Sequence, residues 1–354
     1  MIYSYEVCFT KKGRQMMTVR RYHKGDEDQI QSLFKKTFNH TRPLATWKWK
    51  FIDNPKQERP FILVFEEENQ ILGHISLWVT DAYLNGERKK VGLRVDTMVD
   101  PDARGKGVYK KLNDALITEA QEDGIDYLYG FPAPKAKELF LRYTGASHLT
   151  DMPRWMLIQK PVHLLAAKFS PLALFKPLDR ILQSFRKSNF HTDGYEVKEV
   201  KRCEEEFDQL AKRSKQVAQG VVVRDAAYLN YRYFDHPENK YKVIGIYKES
   251  RLLGYVVTHQ KSGSFMNGMV VDWLAEDEQL WPVLLAAART ELKDTDVIQS
   301  WALPHTLAAN TLKQDGFIHK DSPMPLVGKA IDPSLSTMDN ADQWFITPGD
   351  VDSY

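Results

Sequence analysis

The chain repeats itself once, and that repeat limits its fold more than any other feature. Trp47-Lys-Trp-Lys-Phe-Ile-Asp-Asn-Pro55 is echoed by Leu229-Asn-Tyr-Arg-Tyr-Phe-Asp-His-Pro237, so that Asp53 and Asp235, and Pro55 and Pro237, lie 182 residues apart. Gly73, which closes Phe61–Gly73, matches Gly254, which closes Tyr241–Gly254, at a separation of 181. Val95-Asp96 then matches Val271-Asp272 at 176, and Gly145 matches Gly316 at 171. Four matches in one order, with a smoothly shrinking offset, predict two copies of one domain. A length of 354 residues accommodates two domains and a connector.

Each copy reads as mixed α/β. In the first, Thr18–Arg21 reads as a strand and Asp26–Phe38 as a helix, with Ile30, Leu33, Phe34 and Phe38 at helical spacing. Phe61–Phe65 and Ile71–Val79 form a hairpin around Glu-Glu-Glu-Asn-Gln, and Val91–Val99 is the next strand. Gly107–Glu122 is an amphipathic helix, Tyr127–Phe131 a strand, Lys135–Tyr143 a helix and Trp155–Gln159 the last strand of the copy. The expected fold is therefore two tandem domains, each a mostly antiparallel central sheet flanked by helices. Their limits are 18–160 and 196–332, with an N-terminal extension 1–17, a linker 161–195 and a tail 333–354.

Composition removes several function classes. Lys and Arg total 49 against 47 Asp and Glu, a formal charge of +2 that gives no support to a nucleic-acid binder. Two cysteines, Cys8 and Cys203, make neither a disulfide framework nor a thiolate zinc site. No His, Asp or Glu group has metal-ligand spacing, so no metal is expected. The polar start lacks a signal-peptide core and no apolar run is long enough to span a bilayer, which together predict a cytoplasmic protein without integral membrane association. Val162–Phe185 comes closest to a span, but Pro171 and Pro177 interrupt it and it carries three Lys/Arg and an Asp. It reads first as a connector packed on the domains, and second as a basic amphipathic segment lying on a membrane surface.

The chemistry sits at a strand-to-helix junction, Val99-Asp-Pro-Asp-Ala-Arg104-Gly-Lys-Gly107-Val-Tyr109. A glycine turn opening a helix offers free N–H groups and the positive helix end, a site for phosphate oxygens, and Arg104 and Lys106 add charge. The junction is neither a P-loop nor a dinucleotide fingerprint. Strand, Arg-Gly-Lys-Gly and helix following a hairpin resemble the Gcn5-related N-acetyltransferase family, whose turn reads Gln/Arg-x-x-Gly-x-Gly/Ala. Arg104 and Gly107 fit its first two fixed positions, while Tyr109 replaces the third. The resemblance extends from Thr18-Val-Arg-Arg-Tyr to Phe140-Leu-Arg-Tyr-Thr-Gly145 and, with the repeat, covers about residues 18–330.

The resemblance implies acetyl-CoA as co-substrate, held by Met98, Val99, Arg104, Gly105, Lys106, Gly107, Val108 and Tyr109, and a small amine such as an amino sugar or polyamine as acceptor. It offers Asp96 as base and Tyr143 as acid, although the family's usual Tyr falls at Leu141. Trp47 and Trp49 are candidate stacking walls for the acceptor, against core packing as the other reading. His74 and His148 read as structural. In the second copy Asp277-Glu-Gln-Leu-Trp-Pro282 replaces the glycine turn, so no coenzyme is expected there. Other readings are an acyl or aminoacyl transferase with another donor, and a non-catalytic acyl-CoA-binding protein. A homodimer is compatible with all of them. In the tail, Trp344–Ile346 should dock while Pro348-Gly349 turns the chain; Asp350, Asp352 or the terminal carboxylate is then a candidate to reach the amine.

Overall fold

The computed structural model describes residues 17–167, 169–185, 188–320 and 324–353. Cys8, nearly all of the N-terminal extension and Tyr354 lie outside them. The chain divides into two compact units that are not consecutive stretches: the first is Met1–Thr150 with Met324–Asp339, the second Asp151–Pro323 with Asn340–Tyr354.

The first unit contains strands β1 (Met17–Arg21), β2 (Phe61–Glu67), β3 (Gln70–Leu84), β4 (Glu87–Val99), β5 (Tyr127–Gly130) and β6 (Ser147–Asp151), and helices α1 (Glu27–Phe38), α2 (Leu44–Phe51), α3 (Val108–Glu122) and α4 (Pro134–Thr144). The second contains β7 (Arg154–Ile158), β8 (Glu196–Val200), β9 (Gly220–Val222), β10 (Tyr241–Lys248), β11 (Arg251–Lys261), β12 (Asn267–Ala275), β13 (Val297–Trp301) and β14 (Ile318–Lys320). Its helices are α5 (Pro161–Ala166), α6 (Leu178–Phe185), α7 (Glu205–Arg213), α8 (Ala226–Leu229), α9 (Leu280–Glu291) and α10 (Leu307–Gln314). The chain then supplies β15 (Pro325–Ala330) to the first unit and β16 (Trp344–Phe345) to the second.

The two sheets share one plan. The first runs β1-β2-β3-β4-β5-β15-β6, and the second, read from its other end, β8-β10-β11-β12-β13-β7-β14. The pairs β1/β2, β2/β3, β3/β4 and β5/β15 of the first sheet, and β8/β10, β10/β11, β11/β12, β13/β7 and β7/β14 of the second, are antiparallel, while β4/β5 and β12/β13 run parallel. One strand departs from the linear reading. Trp155–Gln159, expected to close the first copy, is observed as β7 and pairs with β13 and β14 of the second sheet. Its place in the first sheet is taken by β15, which pairs with β5 at Val327↔Gly130. The copies have exchanged their penultimate strands.

Period-two alternation builds the first core. Phe61, Leu63 and Phe65 on β2 and Ile75, Leu77 and Val79 on β3 face Val108, Leu112, Leu116 and Ala120 of α3. On α1, Ile30, Leu33 and Phe34 are buried, whereas Phe38, expected on that face, is 43% exposed. Where α3 crosses β3, a Cβ at Gly73 would lie 2.7 Å from Val108 Cγ1 and 2.8 Å from Leu112 Cδ1. Only glycine lets helix and strand approach that closely. Among the described residues, no helix is long and apolar enough to cross a membrane.

Candidate active site

The turn between β4 and α3 is built from its ends inward. The Asp100 side chain accepts from Asp102 N, and Pro101–Ala103 coils into one turn of 3₁₀ helix. Ala103 and Val108 are buried anchors, while Arg104 to Gly107 between them are exposed. Gly105 and Gly107 both have left-handed backbone, φ +79° and +80°, with nothing within 4 Å of where a Cβ would stand. The loop is thus an exposed run of backbone ending on the first turn of α3, whose N–H groups have no carbonyl partners within the helix. Lys36 reaches over from α1 to Asp100 at 2.8 Å and Asp102 at 2.7 Å, so one ammonium is shared between the two carboxylates. Arg104 and Lys106 form no ion pair among the described residues, which leaves their charge available to an anion. Of the other residues expected there, Met98 is buried in the ladder opposite His74, and Val99 pairs with Gly73.

Beside the loop, Tyr109 on α3 and Tyr143 on α4 stack obliquely, ring centres 5.6 Å apart. The Tyr109 hydroxyl accepts from Arg94 Nη2 at 3.0 Å. Arg94, on β4, is a residue the sequence reading passed over. Its guanidinium lies 4.3 Å from the Phe140 ring centre and donates through Nε to Thr97 Oγ1, while Nη1 is buried with no partner. Burial pulls it down to about 10. A cation held by rings and hydroxyls, without a carboxylate, is unusual enough to mark a site. Its sequence signal is weak, because an arginine inside an alternating strand reads as a solvent-facing position.

Asp96 has a different setting from the one expected of a base. Its carboxylate is held by Arg42 Nη1 and by Lys50 Nζ at 2.8 Å, and the three side chains are only 7–8% exposed. The two cations hold its carboxyl far below the usual range despite burial. So weak a base will not take a proton from an ammonium. Asp96 sits at a bulge with φ +45°, where Asp96 and Thr97 together oppose Ile75. His74 Nδ1 lies 2.7 Å from the Asp96 carbonyl oxygen and must donate to it, leaving Nε2 bare, buried and unpartnered. Burial, foremost, pushes His74 down to about 4, so the ring is neutral.

Trp47 and Trp49 require correction as ligand walls. Both lie on α2, a helix the sequence reading left unassigned, and they are 0% and 4% exposed. Trp47 packs on Tyr22 and Phe51, and Trp49 meets Trp78 edge-on. Neither ring has a face left for a ligand.

The second unit repeats the arginine–aspartate pair and loses the cradle. Arg224, 182 residues after Arg42, donates to Asp272, 176 after Asp96, through Nε at 2.9 Å. There the tail closes the cluster: Arg224 Nη2 also holds Asp350 Oδ2 at 2.7 Å, and Thr347 Oγ1 donates to Asp272 Oδ1. Trp344, Phe345 and Ile346 dock as expected, 1–2% exposed, with Phe345 against Trp281 at the start of α9. Asp350 is therefore committed to a buried ion pair and not to an amine. Next to α9, a cavity of about 370 Å³ is lined by Glu276, Asp277, Glu278 and Asp342 against Arg213. Four carboxylates would repel a diphosphate. Among the described residues no group of His, Cys, Asp and Glu is arranged to hold a metal ion.

Residues 18–143 match the profile of the family described as acetyltransferase (GNAT) domain. Comparison with curated protein sequences finds no match. Among solved structures, the chain resembles a GCN5-related N-acetyltransferase from Anabaena variabilis at 11% identity and TM-score 0.68, covering 92% of this chain and 75% of that one. It also resembles a probable N-acyltransferase from Enterococcus faecalis, titled a conserved protein of unknown function, at 13% identity and TM-score 0.66, covering 90% and 73%. A third, Eis1 from Mycobacterium abscessus, matches at 13% identity and TM-score 0.56, covering 92% and 76%.

Proposed function

We propose that this chain, whose residues 18–143 match the acetyltransferase (GNAT) domain profile, is an N-acetyltransferase that binds acetyl-CoA in its first unit and acetylates a small-molecule amine, an amino sugar or a polyamine. The observation that carries the reading is the exposed turn Arg104–Gly107, with two left-handed glycines, two uncommitted cations and a helix start behind them. Backbone N–H groups of Gly105, Gly107, Val108 and Tyr109 would take the diphosphate oxygens, and Arg104 and Lys106 the remaining charge. Acetyl-CoA supplies the activated thioester. Asp96 is a positioning residue: its carboxylate fixes Arg42 and Lys50, and its carbonyl oxygen fixes the His74 ring. Tyr143 is the proposed proton donor to the departing thiolate, its ring held by Tyr109 and, behind that, by Arg94.

The test has two parts. Calorimetry should give one acetyl-CoA per chain; two would mean that the second unit also binds. Thiol release in a panel of amines then identifies the acceptor. Tyr143→Phe should lower kcat by about 10²-fold or more while leaving acetyl-CoA affinity within about twofold. An unchanged kcat removes Tyr143 as the acid. One observation favours a second reading, binding without turnover: Leu141 stands where the family usually places its acidic tyrosine. Coenzyme binding with no thiol release from any amine would support that reading.

A further inference from the structure

The segment joining β7 to β8 combines two surface properties that rarely occur together. Leu165, Phe169, Leu174, Phe175, Leu178 and Leu182 are 37–85% exposed, Leu174 the most, all within eighteen residues of chain. Over residues 161–187 the sequence holds five Lys and Arg (Lys168, Lys176, Arg180, Arg186, Lys187) against one acid, Asp179. That acid is withdrawn from the surface. Asp179 is 2% exposed and accepts from Val162 N at 2.9 Å, His163 N at 2.8 Å and His163 Nδ1 at 2.9 Å, tying α5 to α6 as one hairpin. Neither Lys176 nor Arg180 has a carboxylate partner among the described residues. Among the described residues the connector thus keeps its acid inside and turns large apolar side chains and Arg180 outward, with Lys176 half-buried beside them.

We propose that residues 161–182 form a docking surface for an anionic lipid bilayer. Short helices and turns broken by Pro171 and Pro177 cannot span a membrane, but they can lie in its interface with the apolar side chains among the acyl chains. The surrounding Lys and Arg then meet lipid phosphates, each strengthening adsorption at ordinary ionic strength. Charge decides between this occupant and a second copy of the chain. A two-fold pairing would set the same cationic surface against itself, whereas an anionic leaflet supplies the missing sign. The surface belongs to the second unit and does not depend on the reaction assigned to the first.

Cosedimentation of the full chain with extruded vesicles tests this. Phosphatidylcholine vesicles containing about one third phosphatidylglycerol should bind it, with binding falling as salt rises, and pure phosphatidylcholine should bind it at least about tenfold more weakly. The pair Leu174→Asp and Phe175→Asp should lower partition into the mixed vesicles by about tenfold or more. Lys176→Glu with Arg180→Glu should do so comparably and flatten the salt dependence. Each variant should keep wild-type acetyl-CoA stoichiometry or, if the chain binds no coenzyme, the wild-type thermal transition, which shows that it is folded. The proposal is overturned if the wild-type chain stays in the supernatant, or if both double variants bind as the wild type does. It is equally overturned if sedimentation velocity shows a dimer that Leu174→Asp with Phe175→Asp dissolves while no vesicle binds; the surface would then belong to a second copy.

Discussion

At Asp96, a residue the sequence offers as a base turns out to be a strut. Two cations surround it, and His74, whose Nδ1 donates to its carbonyl oxygen, keeps a buried Nε2 without a partner. That arrangement has a pH signature. The folded-state pKa of His74 is lowered to about 4 from 6.5, so its contribution to stability is complete above the unfolded value and is lost as pH falls toward 4, where only the unfolded chain takes the proton. The depression amounts to roughly 3 kcal/mol. Denaturant titrations from pH 7 to pH 4 should therefore lose about that much more stability in the wild type than in His74→Gln, and parallel curves would refute it. Arg104 tests the loop. Arg104→Glu removes a charge-assisted contact worth ~1.5–3 kcal/mol and adds repulsion, so calorimetric acetyl-CoA affinity should fall by about tenfold or more; unchanged affinity rejects the assignment. Arg104 and both glycines could be read from the sequence because all the parts of an anion cradle are contiguous. The Asp96 cluster could not, because its arginine is 54 residues away in a Thr-Arg-Pro loop whose destination only the fold decides.

Elements were easier to read than their partners. The hairpin, α3 and α4 follow from apolar spacing and glycine stops, and they appear within a residue or two of the expected limits except that β3 runs five residues beyond Val79, to Leu84. Helix α2 was missed because Leu-Ala-Thr-Trp-Lys-Trp-Lys-Phe alternates aromatic and lysine residues, a pattern that imitates a strand. Tertiary burial of Trp47, Trp49 and Phe51 overrode it. The element that matters most to the site is α3, because its position on the sheet sets where the cradle points. Gly73 controls that position. Gly73→Val drives carbon into Val108 and Leu112, the two residues that seat the first turns of the helix, and should cost roughly 1–3 kcal/mol. If α3 relieves the clash by lifting, acetyl-CoA affinity should fall together with the melting temperature. Gly263→Val is the matched control, because its Cβ meets nothing closer than Phe265 O at 3.8 Å. If Gly73→Val melts lower yet binds coenzyme as tightly as the control, the cradle does not depend on helix seating.

On the scale of the whole molecule the decisive fact is the exchange of β7 and β15. Sequence reading identifies Trp155–Gln159 as a strand but carries no information about which sheet receives it, since Arg154-Trp-Met-Leu-Ile and the observed Pro325-Leu-Val-Gly-Lys-Ala each suit a buried middle position. The consequence is that the first copy cannot be cut out at its linear boundary. A fragment of residues 1–160 would leave β5 without the neighbour that pairs Tyr127–Gly130 to Val327–Ala330, and β6 without its place in the sheet. It would also strand the Tyr127 hydroxyl, which donates to Asp339 Oδ1 at 2.8 Å and Met338 O at 3.1 Å. Four unpaired residues on a central strand form an adhesive edge, so this fragment should aggregate or unfold without cooperativity. Joining residues 324–339 to residue 151 through a flexible linker restores the missing strand with its Tyr127 partners and keeps every residue of the cradle. That shorter chain should unfold in one cooperative transition and bind one acetyl-CoA with an affinity within about tenfold of the full chain. The comparison is made by circular dichroism and calorimetry on the two fragments side by side. A soluble, cooperative, coenzyme-binding 1–160 would show that β15 is dispensable. Failure of the rebuilt unit alongside a competent full chain would show that the first unit draws its order from more than the strands of its own sheet.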